Sequence, residues 1–407
     1  MMQSPYPIHT HRLLMLCLCC LLALGAHAQN TTNLPTSMYG IGELSAGDGG
    51  RYAGLGNLGI ALNRRGFQNT LNPAAITAMD TLCFTFDVGV AASYARYSFL
   101  SNSSSNLTAN PNRFSLGFRM KPRWYVMVGA TPYSSVGYLI QTEEEVEGLP
   151  GEYLYSTFEG TGGLYRCYLT NAFVLARGLS AGINVGVVLG NTTQSESQES
   201  ALVSYESSRR AFSLDLGLHY RLGNARRSWE VGAVFAPAMP IVHDNRLTYT
   251  NSSTSETVDK SYHSPRQYLP LHLGLGVATA NSRWTLTADY NYVDWSRNRS
   301  DYTSMKYQNQ HKISLGGICV LHPRKPHSTE LMAGIGASNS YISLKGGKMY
   351  YLEGNFGASF PIRYSFLSVG ATWRQQVNSR SNLMQESRFS LNLNLTFGER
   401  ISHAKLK

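Results

Sequence analysis

Eight ionisable residues stand at alternate positions inside otherwise apolar runs: Asp87, Arg119, Asp215, His219, Glu230, His272, Asp289 and Arg374. Ser, His and acidic residues are the materials of a hydrolytic triad, and His243-Asp244 sets a base beside an acid. A triad is defined by geometry, however, and no nucleophile motif accompanies that pair. No catalytic residue is therefore assigned, and no enzyme is expected. No metal site or cofactor is expected either, because Cys83, Cys167 and Cys319 are widely spaced and lack ligand spacing. The chemistry left is ion pairing and anion binding. Arg51, Arg64 and Arg65 add three guanidinium groups upstream, and each is a fork able to grip a carboxylate through two parallel hydrogen bonds. They either pair with acids among the eight or hold the head group of a ligand.

The eight share a positional rule. Phe212, Leu214, Leu216, Leu218 and Tyr220 alternate with Ser213, Asp215, Gly217 and His219, and Leu269 to Leu275 alternate with Pro270, His272 and Gly274. The last such run is Arg388 to Phe397, with Phe389, Leu391, Leu393, Leu395 and Phe397 on one face. Successive side chains of a strand point to opposite faces, so each run is a strand with one apolar and one polar side. The charges all lie on the polar side. If the apolar side meets lipid, an Arg turned outward at mid-depth costs roughly 2–4 kcal/mol, so the charges must point inward.

Alternating runs recur from Thr81 to Phe397, about 14 of them. Short turns such as Lys121-Pro122-Arg123, Arg177-Gly178 and Pro361-Ile362-Arg363 alternate strictly with longer polar segments, among them residues 191–209 and 243–266. That asymmetry is the mark of a transmembrane antiparallel β-barrel with short turns at the periplasmic end and loops outside. An array of sandwich domains would not keep it. No stretch after residue 28 is apolar enough for a membrane helix, and only closed barrels otherwise satisfy every backbone group in lipid.

The 407 residues divide accordingly. Residues 1–28 have the layout of a signal peptide: His9, His11 and Arg12, an apolar run from Leu13 to Leu24, then Ala26-His27-Ala28. Residues 29–80 are rich in Gly, Asn and Ala with little alternation, and form an N-terminal hatch segment, the candidate to plug the lumen. Residues 81–397 form the barrel, and 398–407 a short periplasmic tail. The formal charge of +10 and the basic turns at Lys121, Arg123, Arg226, Arg227, Arg324 and Lys325 suit anionic lipid head groups, so no nucleic-acid partner is expected. One strand is interrupted. Gly129 and Pro132 lie within a run that resumes at Tyr133, and proline deletes a ladder hydrogen bond, so a bend or bulge is expected there.

Three patches resemble the FadL family of outer-membrane transporters for long-chain fatty acids and other hydrophobic compounds. Gly50-Arg51-Tyr52-Ala53-Gly54, with Asn72-Pro73-Ala74 just before the first strand, is similar to the family's N-terminal hatch. Met127 to Tyr133 resembles its kinked third strand, and Glu353-Gly354-Asn355-Phe356-Gly357 through Glu386 to Phe397 resembles its closing strands. Asn63-Arg64-Arg65 departs from the acidic residues common in family hatches. The resemblance implies a 14-strand barrel in the cell outer membrane. It implies passive uptake of small hydrophobic ligands through a hatch-gated lumen, with lateral exit at Pro132 into outer-membrane lipid. Phe397 would belong to the signal read by the barrel insertion machinery. An alternative stays open: a barrel that carries cargo at the cell surface for a protein secretion system and does not transport.

Overall fold

The computed structural model describes residues 34–400, apart from 46–49, 65, 80–82, 100–101, 147, 149–150, 225–226, 263, 301, 326–327, 363–364 and 379–383. The expected signal peptide, Arg65 and most of the expected tail lie outside the described residues. Fourteen antiparallel staves follow in order. They are β1 (Cys83–Phe99), β2 (Asn102–Lys121), β3 (Trp124–Ser135, resumed as Tyr138–Glu145), β4 (Tyr153–Ala176), β5 (Leu179–Gln198) and β6 (Ala201–Gly223). Next come β7 (Arg227–Ala236, resumed as Met239–Asn251), β8 (Glu256–Ser261 and Gln267–Leu269, then Leu271–Asn281), β9 (Trp284–Asp294) and β10 (Gln310–Val320). The last four are β11 (Glu330–Asn339), β12 (Met349–Ile362), β13 (Ser365–Asn378) and β14 (Gln385–Arg400). The ring closes where β14 pairs with β1, from Cys83↔Arg400 to Ser98↔Gln385. Closure matters because it leaves no sheet edge in lipid.

The alternation resolves as expected. Leu216, Leu218, Leu273, Leu275, Leu286, Phe356, Phe389, Leu391 and Leu393 are exposed on the outside of the ring. So continuous an apolar band on the surface of a folded chain marks a membrane-facing wall, which makes this a barrel of the outer-membrane type. Trp124, Trp229 and Trp284 each follow a short turn and form part of an aromatic girdle at that end. Trp124 stacks on Phe173 with ring centroids 6.0 Å apart.

Two stretches differ from the expectation. Residues 191–209 are not a loop. β5 and β6 keep pairing from Leu179↔Tyr220 to Gln198↔Ala201 with only a tight turn between them. Residues 243–266 likewise carry the strands Met239–Asn251 and Glu256–Ser261. The ladder is made by backbone groups, so a strand that rises past the bilayer persists without an apolar face. Once outside, both of its faces meet water and the sequence signal of alternation disappears.

The N-terminal segment lies inside the ring. It carries 3₁₀ turns at Pro35–Met38, Ala53–Leu55 and Pro73–Ala78 and a two-residue strand, Glu43–Leu44. Leu55, Leu58, Leu62, Ala74 and Ile76 are fully buried, packed on inward residues such as Ala278, Ile318, Met332, Met127 and Tyr168. The interior core of this barrel is thus built by its own N-terminus.

Candidate functional site

The wall makes room for that segment by omitting side chains. At Gly232 an added Cβ would collide with the Ile60 carbonyl, and at Gly182 with the Pro73 backbone. Both glycines sit at inward positions where alternation would otherwise put a side chain. The motif Asn72-Pro73-Ala74 occupies the contact with β4, β5 and β6. Asn72 caps the turn, accepting from the Ala74 amide at 3.0 Å, and its Nδ2 donates to the carbonyls of Ile60 (2.8 Å) and Leu218 (3.0 Å). Pro73 opens the 3₁₀ turn, where a missing N–H costs nothing.

Charges then bolt the segment to the wall. Glu330 on β11 takes both Arg51 and Arg64, each at 3.1 Å. The Arg51 guanidinium lies between the rings of Phe67 and Phe366, 3.7 and 3.6 Å from their centroids. Asp289 on β9 accepts from the amides of Gly59 (2.7 Å) and Ile60 (2.8 Å). His219 on β6 meets the Ala61 carbonyl at 3.0 Å and Glu230 at 3.4 Å. Glu230 also accepts from the Asn63 amide at 3.2 Å. Asp87 pairs with Arg113 at 3.1 Å, and Arg113 donates to the Gln68 carbonyl. Desolvating such groups is expensive unless they are paired, and each of these charges has at least one partner.

The residues singled out from sequence are therefore distributed among several contacts. Arg51, Arg64, Asp87, His219 and Asp289 all touch the N-terminal segment or its anchors. Asp215 stands higher, against Arg166 and the Asn184 amide. His272 contacts Asn291 at 2.9 Å. Arg119 stands apart at the turn end, donating to the carbonyls of Lys121 (3.1 Å) and Pro122 (2.6 Å).

Arg374 belongs to a second cluster that the sequence reading missed in part. It lies 3.8 Å from Glu353 and 3.9 Å from Glu43, and its guanidinium covers the Tyr351 ring. Arg388 bridges Glu43 and Glu386, and Lys312 holds Glu353 at 2.8 Å. Glu386 and Arg388 have the inward parity opposite to Phe389, so the alternation of β14 carries the signal. Glu43 has no such signal, because its two-residue strand has no period.

Glu43 marks a break in the wall. β2 pairs with β3 only from Lys121↔Trp124 up to Phe114↔Ala130. Above that point β2 stays paired with β1 as far as Asn102, and β3 stays paired with β4 through a register shift between Pro132 and Ser134. Among the described residues no ladder joins the two facing edges. A proline stands on each rim, Pro111 and Pro132, as expected for edges that lack a ladder partner. Glu43–Leu44 fills part of the β3 edge, pairing with Ser135 and Ser134. The Ser45 amide adds a bond to Tyr133 O at 3.0 Å. Nearby, the Tyr341 hydroxyl of the β11–β12 loop donates to the Gly42 carbonyl. Burial pushes that phenol's pKa well up, so it stays a donor.

A cavity of about 170 Å³ opens at the break. Asn106, Thr108 and Pro111 line one rim, Pro132 and Ser134 the other, and Arg374 and Arg388 its inner end.

A family model described as BamG matches residues 11–402. The chain belongs to the BamG family. Among curated proteins, none matches this BamG-family chain by sequence. Solved structures do match in fold. The CymD monoaromatic hydrocarbon channel superposes with a TM-score of 0.55 at 15% identity, covering 90% of this chain and all of its own. The Ralstonia pickettii toluene transporter TbuX gives 0.58 at 12%, covering 86% of this chain and 98% of its own. A FadL homologue of Pseudomonas aeruginosa gives 0.56 at 13%, with 87% and 98% covered. At these identities the likeness is one of fold. The fold is that of FadL-type barrels, as the sequence patches imply.

Proposed function

We propose that the protein lets small hydrophobic molecules cross the outer membrane passively, leaving sideways through the break between β2 and β3. The observation that carries this reading is the break itself, lined by Pro111 and Pro132 and backed by a cavity. Unpaired strand edges are costly in hydrocarbon, several kcal/mol for each orphan backbone group, and Glu43–Leu44 covers only part of the β3 edge, which supports a functional opening there. The neighbours described as a monoaromatic hydrocarbon channel and a toluene transporter support it by fold. In this reading the N-terminal segment, residues 29–80, acts as the hatch, and Glu43–Leu44 is the part that moves.

The test is uptake of radiolabelled toluene or laurate by proteoliposomes. Uptake above that of empty liposomes, changed when residues 51–74 are deleted, supports passage. Equal uptake with and without the barrel refutes it. One observation favours a second reading, in which the barrel binds cargo at the surface and does not transport. The lumen below the break is filled by the N-terminal segment and its ion pairs. Secreted proteins that co-purify with a barrel inactive in uptake would select it.

A further inference from the structure

A second cavity, of about 500 Å³, lies at the loop end. Arg209 of β6 lines it, together with Tyr138, Phe158, Tyr205, Tyr262 and Tyr302. Tyr205 and Tyr262 meet edge to face, with ring centroids 6.1 Å apart. Arg209 differs from the lumen arginines. Arg51, Arg64, Arg113, Arg166, Arg374 and Arg388 each hold a carboxylate. Arg209 is partly buried, yet its one hydrogen bond among the described residues runs from Nε to Ser207 Oγ at 3.2 Å. Among the described residues no carboxylate pairs with it, and it is one of the residues that line the cavity.

Hydrogen-bonding groups line the same space. Asn245 and Ser264 are among them, Asn245 donating to Ser264 at 2.9 Å and accepting from Ser207, outside the lining, at 2.7 Å. Gln267 is buried with its Oε1 unpartnered among the described residues. Of the charged residues lining the cavity, two are arginines, Arg209 and Arg299, and one is an acid, Glu196.

We propose that this cavity binds an anionic saccharide at the cell surface, with Arg209 gripping its carboxylate. The guanidinium is a bidentate fork for a planar anion. The tyrosine rings offer flat apolar faces to the C–H side of a sugar ring. The amides and hydroxyls match its hydroxyl groups, and a purely aliphatic chain would leave them unpaired when it excluded water. This inference does not depend on passage through the break.

The test is calorimetric titration of the full-length barrel in detergent with digalacturonic acid, maltose and laurate. Digalacturonic acid should saturate one site and bind about tenfold or more tighter than maltose, a charge-assisted pair being worth roughly that factor. Arg209→Gln should remove that advantage and leave maltose unchanged, while Tyr262→Ala should weaken both sugars. If Arg209→Gln does not fold, Arg209→Lys, which keeps the charge and loses the fork, should give the same order of affinities with a smaller gap. Absence of saturable digalacturonate binding overturns the proposal. So does an affinity unchanged by either Arg209 variant, or displacement of the sugar by laurate at lower concentration.

Discussion

The N-terminal segment meets the barrel wall in two different ways. Along β4 to β11 it is held by backbone-tight packing against glycines and by carboxylates that each take more than one donor. Asp289 accepts two amides, and Glu330 takes two arginines. At the break between β2 and β3 it is held by a two-residue strand, the Ser45 and Tyr341 hydrogen bonds beside it, and one carboxylate, Glu43, which also takes two arginines. Arg374 and Arg388 each have another acid nearby, Glu353 and Glu386. The first region therefore loses heavily when one group is removed, and the second loses little. A plug built this way opens at its weakly held edge while the rest stays seated.

Four substitutions break or sharpen that contrast. Glu330→Gln has the largest expected effect. It leaves the buried Arg51 and the half-buried Arg64 against an amide, a loss of roughly 3–5 kcal/mol, read as a lower urea midpoint of the reconstituted barrel. Gly232→Val follows, since its side chain would displace Ile60. Overpacking costs about 1–3 kcal/mol, and trypsin should reach Arg64 in the folded barrel. Asn72→Ala removes a cap and two side-chain donations, for about 1–2 kcal/mol, visible in the same urea titration. Glu43→Gln should cost the least, since both arginines keep a carboxylate partner, Glu353 and Glu386. Its signature is local: amide exchange at residues 43–45 speeds up while the urea midpoint stays. A Glu43→Gln barrel as unstable as Glu330→Gln would erase the contrast.

Much of this was legible in the sequence, and the reasons are physical. A strand buried against lipid on one face must alternate, so Phe389 to Leu393 and Leu216 to Leu218 disclosed both the strand and its direction. The same rule put Asp87, His219 and Asp289 inside. It failed where its cause was absent. The polar strands of 191–209 lie beyond the bilayer, so nothing forces them to alternate. Glu43 sits in a strand of two residues, and the glycines that admit the plug are informative only once Ile60 and Pro73 are seen against them. Pro132 announced a bend, but Pro111, its counterpart on the other rim, gained its meaning only from the missing ladder. Arg119 obeys the parity rule yet folds back onto the turn carbonyls, because near the water boundary those acceptors lie closer than any acid.

The most direct test fills the break without touching the plug. Asn106→Trp and Thr108→Trp place an indole in the cavity from the lone edge of β2, where pairing with β1 at Ala95 and Ser93 is retained. Uptake of labelled toluene by proteoliposomes is then compared with that of the unaltered barrel, with folding checked by heat-dependent gel mobility. Exit through the break predicts that uptake falls about tenfold or more, an effect of roughly 1.4 kcal/mol on the barrier, in a barrel that remains folded. Unchanged uptake in both folded variants would contradict it.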